Sequence, residues 1–301
     1  MTIRRTIVQR NYDSVLDGAR PGQPAKLTIR LGVKLVPLDP SVPRIAGSPS
    51  PPPAHLATGA SPVRHGLVND YLNSRSVKCR SWTVAEWNTY KIRFKRAVEQ
   101  AWNNQIILLP TDSGGNDELN DEDYRQFISS PTIRAHCIGA IDVELVPLNL
   151  VGHALIEVVH LEKPRDAFRV WMHRITDESV QFATHTDPDW PAWFTGQVTA
   201  AHEVGHWLRS LTQTHFEHID AEAAKILPGP VQARKQYGLT IGREVALMGA
   251  GSLVTEHEAS PWLTRIRRHT SKLGWTMIHS TEFRRVMYNI PERQKDMRPN
   301  I

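Results

Sequence analysis

The sequence predicts a mixed α/β (α+β) fold in which helices pack on one sheet. Residues 81–104 place apolar side chains at an imperfect helical spacing, which indicates a first long helix. Residues 133–148, 152–162 and 167–175 indicate three successive strands, and apolar and polar side chains alternate most clearly in the last of them. A second helix is predicted around residue 202, so the elements follow the order helix, strands, helix.

Composition limits the classes of protein to which the chain can belong. Its 301 residues, of which 40% are hydrophobic, are enough for one large domain with or without an extension. No run of about 18 apolar residues occurs, which predicts no membrane span, and the basic N-terminus lacks the apolar core of a Sec signal peptide. We therefore expect either a cytoplasmic protein or one exported by a dedicated secretion or delivery machine. The net charge of +5 is only a weak indication of an anionic partner.

The N-terminal region is predicted to differ from the rest of the chain. Residues 26–37 alternate well enough to form a strand, and residues 37–62 then contain eight prolines. That composition cannot form a packed core, so it predicts a linker or an extended arm, with a proline-rich recognition motif as the alternative. We divide the chain into a strand with a Pro-rich extension at 1–75, a main domain at 76–275 and a basic C-terminal tail at 276–301.

Three features are predicted between the N-terminal region and the strands. Ser81 is the predicted N-cap of the long helix, and residues 106–109 are predicted to form a short buried strand that Pro110 ends. The helix is expected to bury an apolar stripe made of Trp82, Trp87, Ile92, Phe94, Val98 and Trp102. Residues 111–123 carry oxygen ligands that could hold Ca²⁺, but their spacing does not match an EF-hand loop and favours a solvated loop.

The motif His202-Glu203-x-x-His206 is the strongest chemical signal in the sequence. Residues four apart lie on one face of a helix, so both imidazoles can point at one ion, and two neutral imidazoles suit Zn²⁺. Glu203 lies one step round the helix, where it could act as a general base towards the attacking water. An apolar stripe beside the histidines indicates a helix that continues past His206. The members of this stripe are Val198, Ala201, Val204 or Gly205, Leu208 and Leu211. The alternative is an amphipathic helix whose histidines are merely half-buried.

The segment 246–252 reads Ala-Leu-Met-Gly-Ala-Gly-Ser and places Met248 in a predicted tight turn. With the histidine motif and the predicted sheet, this segment makes residues 80–270 resemble the zincin metallopeptidases, specifically the metzincin branch, in which a Met-turn packs beneath the metal-binding histidines. Residues 237–269 are also similar to bacterial metallopeptidase domains of toxin-like or phage-tail-like systems. The resemblance implies a zincin-like mixed sheet packed on the active-site helix, followed by a mostly helical C-terminal part. Gly205 would then allow another backbone to approach the helix closely.

The third metal ligand cannot be read from the family pattern directly. The metzincin pattern continues x-x-Gly-x-x-His after the second His, and here those two positions hold Arg209 and Thr212. We predict His218 as the third ligand, because His218-Ile-Asp resembles the end of the family motif displaced by an insertion. Asp220 could instead accept a hydrogen bond from an imidazole N–H. The remaining candidate ligands are His215, Asp220 itself and, if the site is of the gluzincin type, Glu222 or Glu244.

The resemblance implies a zinc-dependent endopeptidase. In this interpretation Zn²⁺ is held by His202, His206 and His218, and Glu203 takes a proton from the attacking water and hands it to the leaving amine. The substrate is expected to be a polypeptide that pairs with a predicted edge strand at 169–173.

Two further side chains could act at such a site. Since no Tyr follows the predicted Met-turn closely, His257 is predicted to stabilise the developing oxyanion. Cys79 could in principle bind the zinc as an inhibitory thiolate, but its surroundings do not match the known pro-segment motif, and a buried structural cysteine is favoured. Cys79 and Cys137 are the only cysteines, so one disulfide at most is expected.

Two other classes of function stay open. The first is a catalytically inactive zincin-like protein with a binding or structural role, because the third His is out of frame. The second is a nucleic-acid-binding protein, because the tail is basic, with Arg284, Arg285, Arg293, Lys295 and Arg298. No zinc-finger, RNA-binding or phosphate-loop signature accompanies these residues, so nucleic acid is the less favoured partner.

Overall fold

The computed structural model describes residues 4–20, 23–38, 63–64, 66–70, 75–111, 137–163, 170, 172–183, 196–208, 216–228, 232, 235–240, 243, 245–271 and 274–279. Most of the predicted proline-rich segment, of the acidic loop and of the basic tail lies outside these residues.

The described chain combines many strands with few helices, which confirms the predicted mixed α/β class. In chain order the elements are β1 (Arg4–Ile7), β2 (Asp13–Asp17), β3 (Ala25–Leu38), β4 (Val63–Arg64), β5 (Leu67–Asp70), β6 (Arg75–Lys78), α1 (Val84–Trp102), β7 (Ile106–Pro110), β8 (Cys137–Leu145), β9 (Ala154–Val159), β10 (Arg174–Thr176), β11 (Phe182–Ala183), β12 (Gln197–Val198), α2 (Thr199–Gly205), α3 (Ala221–Ala224), α4 (Glu256–Thr270) and β13 (Trp275–His279). None of the described helices is both long enough and apolar enough to cross a membrane.

Strand β3 lies at the centre of an eight-stranded mixed sheet. Every second residue from position 25 to position 35 is buried, which is the alternation that packing against a core imposes on a strand. One edge of β3 pairs in parallel with β8, and the other edge pairs antiparallel with β2 and then in parallel with β9. The sheet continues through β1 beside β2, through β10 beside β9, and through β7 and β13 beyond β8.

The strand predicted at 26–37 is confirmed, and the sheet gives it a role that the sequence does not reveal. Because β1, β2 and β3 pair into the same sheet as β8 and β9, the N-terminal strands share a core with the main domain. At the other end, β13 starts at Trp275 and pairs with β7. The boundaries predicted at residues 75 and 275 therefore do not coincide with the edges of this sheet. Strand pairing is non-local, so alternation predicts a strand without predicting its neighbours.

Helix α1 begins later than predicted, because Thr83 rather than Ser81 is its N-cap. The Thr83 hydroxyl accepts a hydrogen bond from the Glu86 N–H, and the Glu86 carboxylate accepts one from the Thr83 N–H in return. The buried face of the helix consists of Tyr90, Phe94, Val98 and Trp102. Ile92 is 62% exposed, so its predicted place in the buried stripe is wrong, and the stripe lacked Tyr90.

The strands after the helix are shorter than predicted. Strands β8 and β9 confirm two of the three predicted segments in part, and β7 confirms the short strand ahead of them. The third segment is confined to β10 in the described chain. Met172 and His173 lie in a turn, and the Met172 carbonyl accepts a hydrogen bond from Trp207 Nε1. The edge strand predicted at 169–173 is therefore wrong at positions 170, 172 and 173, while positions 169 and 171 lie outside the described residues.

Two buried tryptophans connect the helix that carries the histidines to the sheet. The rings of Trp102 in α1 and Trp262 in α4 stack with their centroids 5.4 Å apart. Trp262 Nε1 donates a hydrogen bond of 2.9 Å to the carbonyl of Ala140 in β8. Trp102 Nε1 donates one of 3.1 Å to the carbonyl of Ala201 in α2. Helix α2 is thus held against the core at a backbone atom adjacent to its first histidine.

Both cysteines are buried free thiols, so they form no disulfide. Burial raises the pKa of the Cys137 thiol to about 12, because the thiolate would lose its hydration. Cys79 forms an isolated bridge with Leu161 through the backbone, and its Sγ lies 3.4 Å from the Gly66 carbonyl oxygen. This environment agrees with the structural role that the sequence favours for Cys79.

Phe94 and Ile92 lie two positions apart on opposite faces of α1 and offer a test of the orientation of this helix. Phe94→Ala is expected to lower the free energy of unfolding by about 3–5 kcal/mol, because it empties a fully buried site. Ile92→Ala, on the exposed face, is expected to change it by less than about 0.5 kcal/mol. Urea denaturation of both variants measures the difference, and similar losses for the two would contradict this orientation.

Candidate metal centre

Helix α2 is short and ends just before the second histidine of the motif. It runs from Thr199 to Gly205, and His206 follows as its C-cap, so the predicted continuation past His206 is wrong for the described residues. The predicted apolar stripe is largely confirmed, since Ala201, Val204 and Leu208 are buried. The helix therefore presents its histidines from its last turn, while its other side packs into the core.

The structure brings His202, His206 and His218 together. One ring nitrogen from each of the three lies within 4.8 Å of the others, so they are close enough to hold one metal ion. The ring centroids of the three histidines are 4.7–5.2 Å apart. Among the residues that the structure describes, this group contains no carboxylate, and Glu203 lies outside it although it is buried on the same helix. That arrangement is compatible with a Glu203 that does not bind the metal itself.

The other candidates for the third ligand do not join this group in the described chain. The Asp220 carboxylate accepts hydrogen bonds from the Leu239 N–H and from the Arg243 guanidinium. Glu222 lies on the surface of α3 and forms an ion pair with Lys225. His215 and Glu244 lie outside the described residues.

Hydrogen bonds to backbone carbonyls determine which nitrogen of each motif histidine is available. His202 Nδ1 lies 2.8 Å from the Leu247 carbonyl oxygen, and His206 Nδ1 lies 2.5 Å from that of Phe216. A carbonyl only accepts, so each Nδ1 carries the hydrogen and each Nε2 keeps its lone pair for a metal. Burial, helped by the neighbouring His218, lowers the pKa of His202 to about 3, so this imidazole is neutral at physiological pH.

A tight turn that contains Met248 packs directly beneath the helix. The Met248 side chain is fully buried, and its backbone N–H donates to the buried carboxylate of Glu258 in α4. A Cβ added at Gly205 would overlap Met248 Sδ and lie 3.0 Å from Trp102 Cζ2. The sequence predicts that Gly205 makes room for another backbone. That prediction is wrong, because the atoms that approach it are side-chain atoms.

His257 lies near the cluster but outside the group of three histidines. Its Nε2 is 3.0 Å from the Glu217 carbonyl oxygen, and its ring packs against Phe216 with centroids 4.8 Å apart. His257 thus supports the segment that leads into His218. The predicted oxyanion role of His257 stays a prediction, and in this structure its Nε2 faces the Glu217 carbonyl.

Tyr237 is the aromatic residue that sequence reasoning missed. Its ring centroid lies 4.1 Å from that of His218 and 5.8 Å from that of His202. The sequence offers little signal for it, because Tyr237 stands in a segment without clear periodicity and before the Met248 turn, whereas the family pattern directs attention to positions after it.

The chain matches no known protein family, no curated protein and no solved structure.

The contact between Gly205 and Met248 gives a prediction that runs against helix propensity. Ala is favoured over Gly by about 1 kcal/mol inside a helix. Gly205→Ala is nevertheless expected to destabilise the fold by about 1–3 kcal/mol, because the added methyl overpacks the site beside Met248 and Trp102. Denaturant unfolding of Gly205→Ala, Met248→Ala and the double variant measures the coupling. A stabilised Gly205→Ala, or strictly additive effects, would contradict this packing.

Proposed function

We propose that the chain is a zinc-dependent endopeptidase whose metal ligands are His202, His206 and His218. The observation that carries the proposal is the convergence of three imidazole nitrogens within 4.8 Å, two of them from a motif that also supplies Glu203. Three imidazoles fit a catalytic zinc site, which takes three protein ligands and keeps a fourth position open. The hydrogen bonds from Nδ1 to backbone carbonyls support the same view, because ligating histidines usually orient the ring in this way.

The finer proposal for the fold is a zincin-like arrangement. The mixed sheet, a short helix with the histidine motif and the buried Met248 turn against Gly205 support it. In the part of the chain that the structure describes, α3 and α4 follow the histidine helix, and β13 returns to the sheet beyond α4.

The reaction follows from the chemistry of the side chains. When bound, zinc supplies a Lewis acid that polarises the scissile carbonyl and lowers the pKa of water. Glu203 takes a proton from the attacking water and passes it to the departing amine as the peptide bond breaks. Its position supports this role, because Glu203 is buried on the histidine helix and lies outside the group of three histidines. The substrate in this proposal is a polypeptide.

We further propose that Tyr237 stabilises the developing oxyanion, in place of His257. A phenol beside the metal ligands can donate a hydrogen bond towards the fourth coordination position. The ring distances from Tyr237 to His218 and His202 support this choice. His257 is less suited, because its Nε2 faces the Glu217 carbonyl.

Metal analysis tests the site. Purified protein is expected to contain about one zinc per chain, and His218→Ala should contain much less, because two imidazoles remain. Glu203→Gln should keep the zinc and the fold but should no longer hydrolyse an unfolded protein substrate. Mass spectrometry of the cleavage products measures this loss. Chelation should abolish hydrolysis, and added zinc should restore it.

Other outcomes would select other functions. Stoichiometric zinc without any cleavage would overturn the peptidase and favour an inactive zincin-like binding protein. A chain that binds no zinc, even after its addition, would overturn the metal site. Salt-dependent binding to nucleic acid that ignores chelators would then favour the nucleic-acid class.

Tyr237→Phe tests the oxyanion role. We expect kcat to fall about 100-fold, the scale of losing one oxyanion donor, while zinc content and unfolding stay unchanged. The comparison variant is His257→Leu, which removes the contact with Glu217 and should weaken zinc binding more than it lowers the kcat of the loaded protein. An unchanged kcat in Tyr237→Phe would exclude this role.

A further inference from the structure

The side-chain amide of Gln197 lies at the junction between the histidine helix and the Met248 turn. Gln197 is in β12, directly ahead of α2. Its Nε2 is 2.9 Å from the carbonyl oxygen of Leu247, 3.2 Å from that of Gly249 and 3.0 Å from that of Gly251. One amide nitrogen therefore meets three carbonyls of the same turn.

The three carbonyls determine how the Gln197 amide is oriented. Carbonyl oxygens only accept hydrogen bonds, so the amide must face them with its NH₂ group and not with its oxygen. An NH₂ group has two hydrogens, and three acceptors already share them. Nε2 also lies 3.2 Å from His202 Nδ1, but an amide hydrogen given to this ring would leave only one for the three carbonyls. Because the two amide hydrogens are needed by the carbonyls, His202 Nδ1 is favoured as the donor in its own contact with the Leu247 carbonyl.

The convergence of these carbonyls is what makes a donor necessary. Three carbonyl oxygens that converge on one point repel each other, and a donor placed between them offsets this repulsion. Gly251 has no space for a side chain, because an added Cβ would overlap the backbone of Val245, so the turn is tightly closed. Without the amide, the turn would relieve this repulsion by rotating its carbonyls outwards, including the Leu247 carbonyl that orients His202.

We propose that Gln197 is a positioning residue for the metal ligand His202, and that it acts by holding the carbonyls of the Met248 turn together. Gln197 does not bind the metal in this proposal. It fixes the Leu247 carbonyl, and this carbonyl fixes the plane of the His202 ring. The inference rests on the proposed zinc site, but it concerns the affinity for metal and the packing of the turn, both of which can be measured without a substrate.

Zinc affinity of Gln197→Leu tests the proposal, and Gln105→Leu is the matched control. Gln105 is also half-buried and holds the same region through its contacts with Ser252 and Val254, but it does not contact His202 in the described structure. Competition with a chromophoric chelator is expected to show zinc affinity reduced about 10- to 100-fold in Gln197→Leu and less than about 3-fold in Gln105→Leu. The methyl resonance of Met248 in the metal-free protein should shift in Gln197→Leu.

The zinc affinities of wild type and of the two variants decide whether Gln197 positions His202. Wild-type zinc affinity in Gln197→Leu would overturn this inference and leave the zinc site standing. Equal losses in both variants would also overturn it, since they would reflect general loosening of the turn. If wild type itself binds no zinc, the proposed function fails together with this inference. Should Gln197→Leu not fold, Gln197→Asn withdraws the amide by one methylene without adding apolar surface, and the same loss of affinity is expected.

Discussion

The hydrogen bond from His202 Nδ1 to the Leu247 carbonyl is the interaction on which the site depends. It joins two segments that are far apart in sequence, and it can form only if the Met248 turn lies directly under the histidine helix. Gly205 provides the necessary space, because any side chain there would meet Met248. Glycine is thus required at position 205, because the turn that carries the Leu247 carbonyl also places Met248 against the helix there.

The Met248 turn is itself held from the opposite side. The carboxylate of Glu258 accepts hydrogen bonds from the backbone N–H groups of Met248 and Thr255, so it caps α4 and anchors the turn at once. Helix α4 reaches the sheet through Trp262, whose ring stacks on Trp102. Trp102 in turn donates a hydrogen bond to the carbonyl of Ala201, beside His202, so this series of contacts leads from the turn through the sheet back to the histidine helix. Because these contacts form a closed ring, the turn, helix α4 and the histidine helix each resist displacement relative to the others.

Features with a local signal were predictable from the sequence, and features set by distant contacts were not. Alternation predicted β3 and periodicity predicted α1, but the central place of β3 and the exposure of Ile92 depend on tertiary packing. The motif and the family resemblance together pointed to His218, which the structure places beside the other two histidines. Tyr237 and Gln197 carry no periodic or motif signal, because their importance comes only from the groups that they meet in space.

The position of His218 is explained by hydrogen bonds on both sides of it. Phe216 forms two hydrogen bonds with His206: its N–H donates to the His206 carbonyl, and its carbonyl accepts from His206 Nδ1. The N–H of Ile219 donates to the Met248 carbonyl on the other side. The chain on both sides of His218 is thus held by hydrogen bonds to other residues of the site. Doubling the length of a flexible loop costs only about 0.6 kcal/mol, which is less than a single such hydrogen bond contributes at about 1 kcal/mol. The hydrogen bonds of Phe216 and Ile219, and not the number of residues ahead of them, therefore determine where His218 lies.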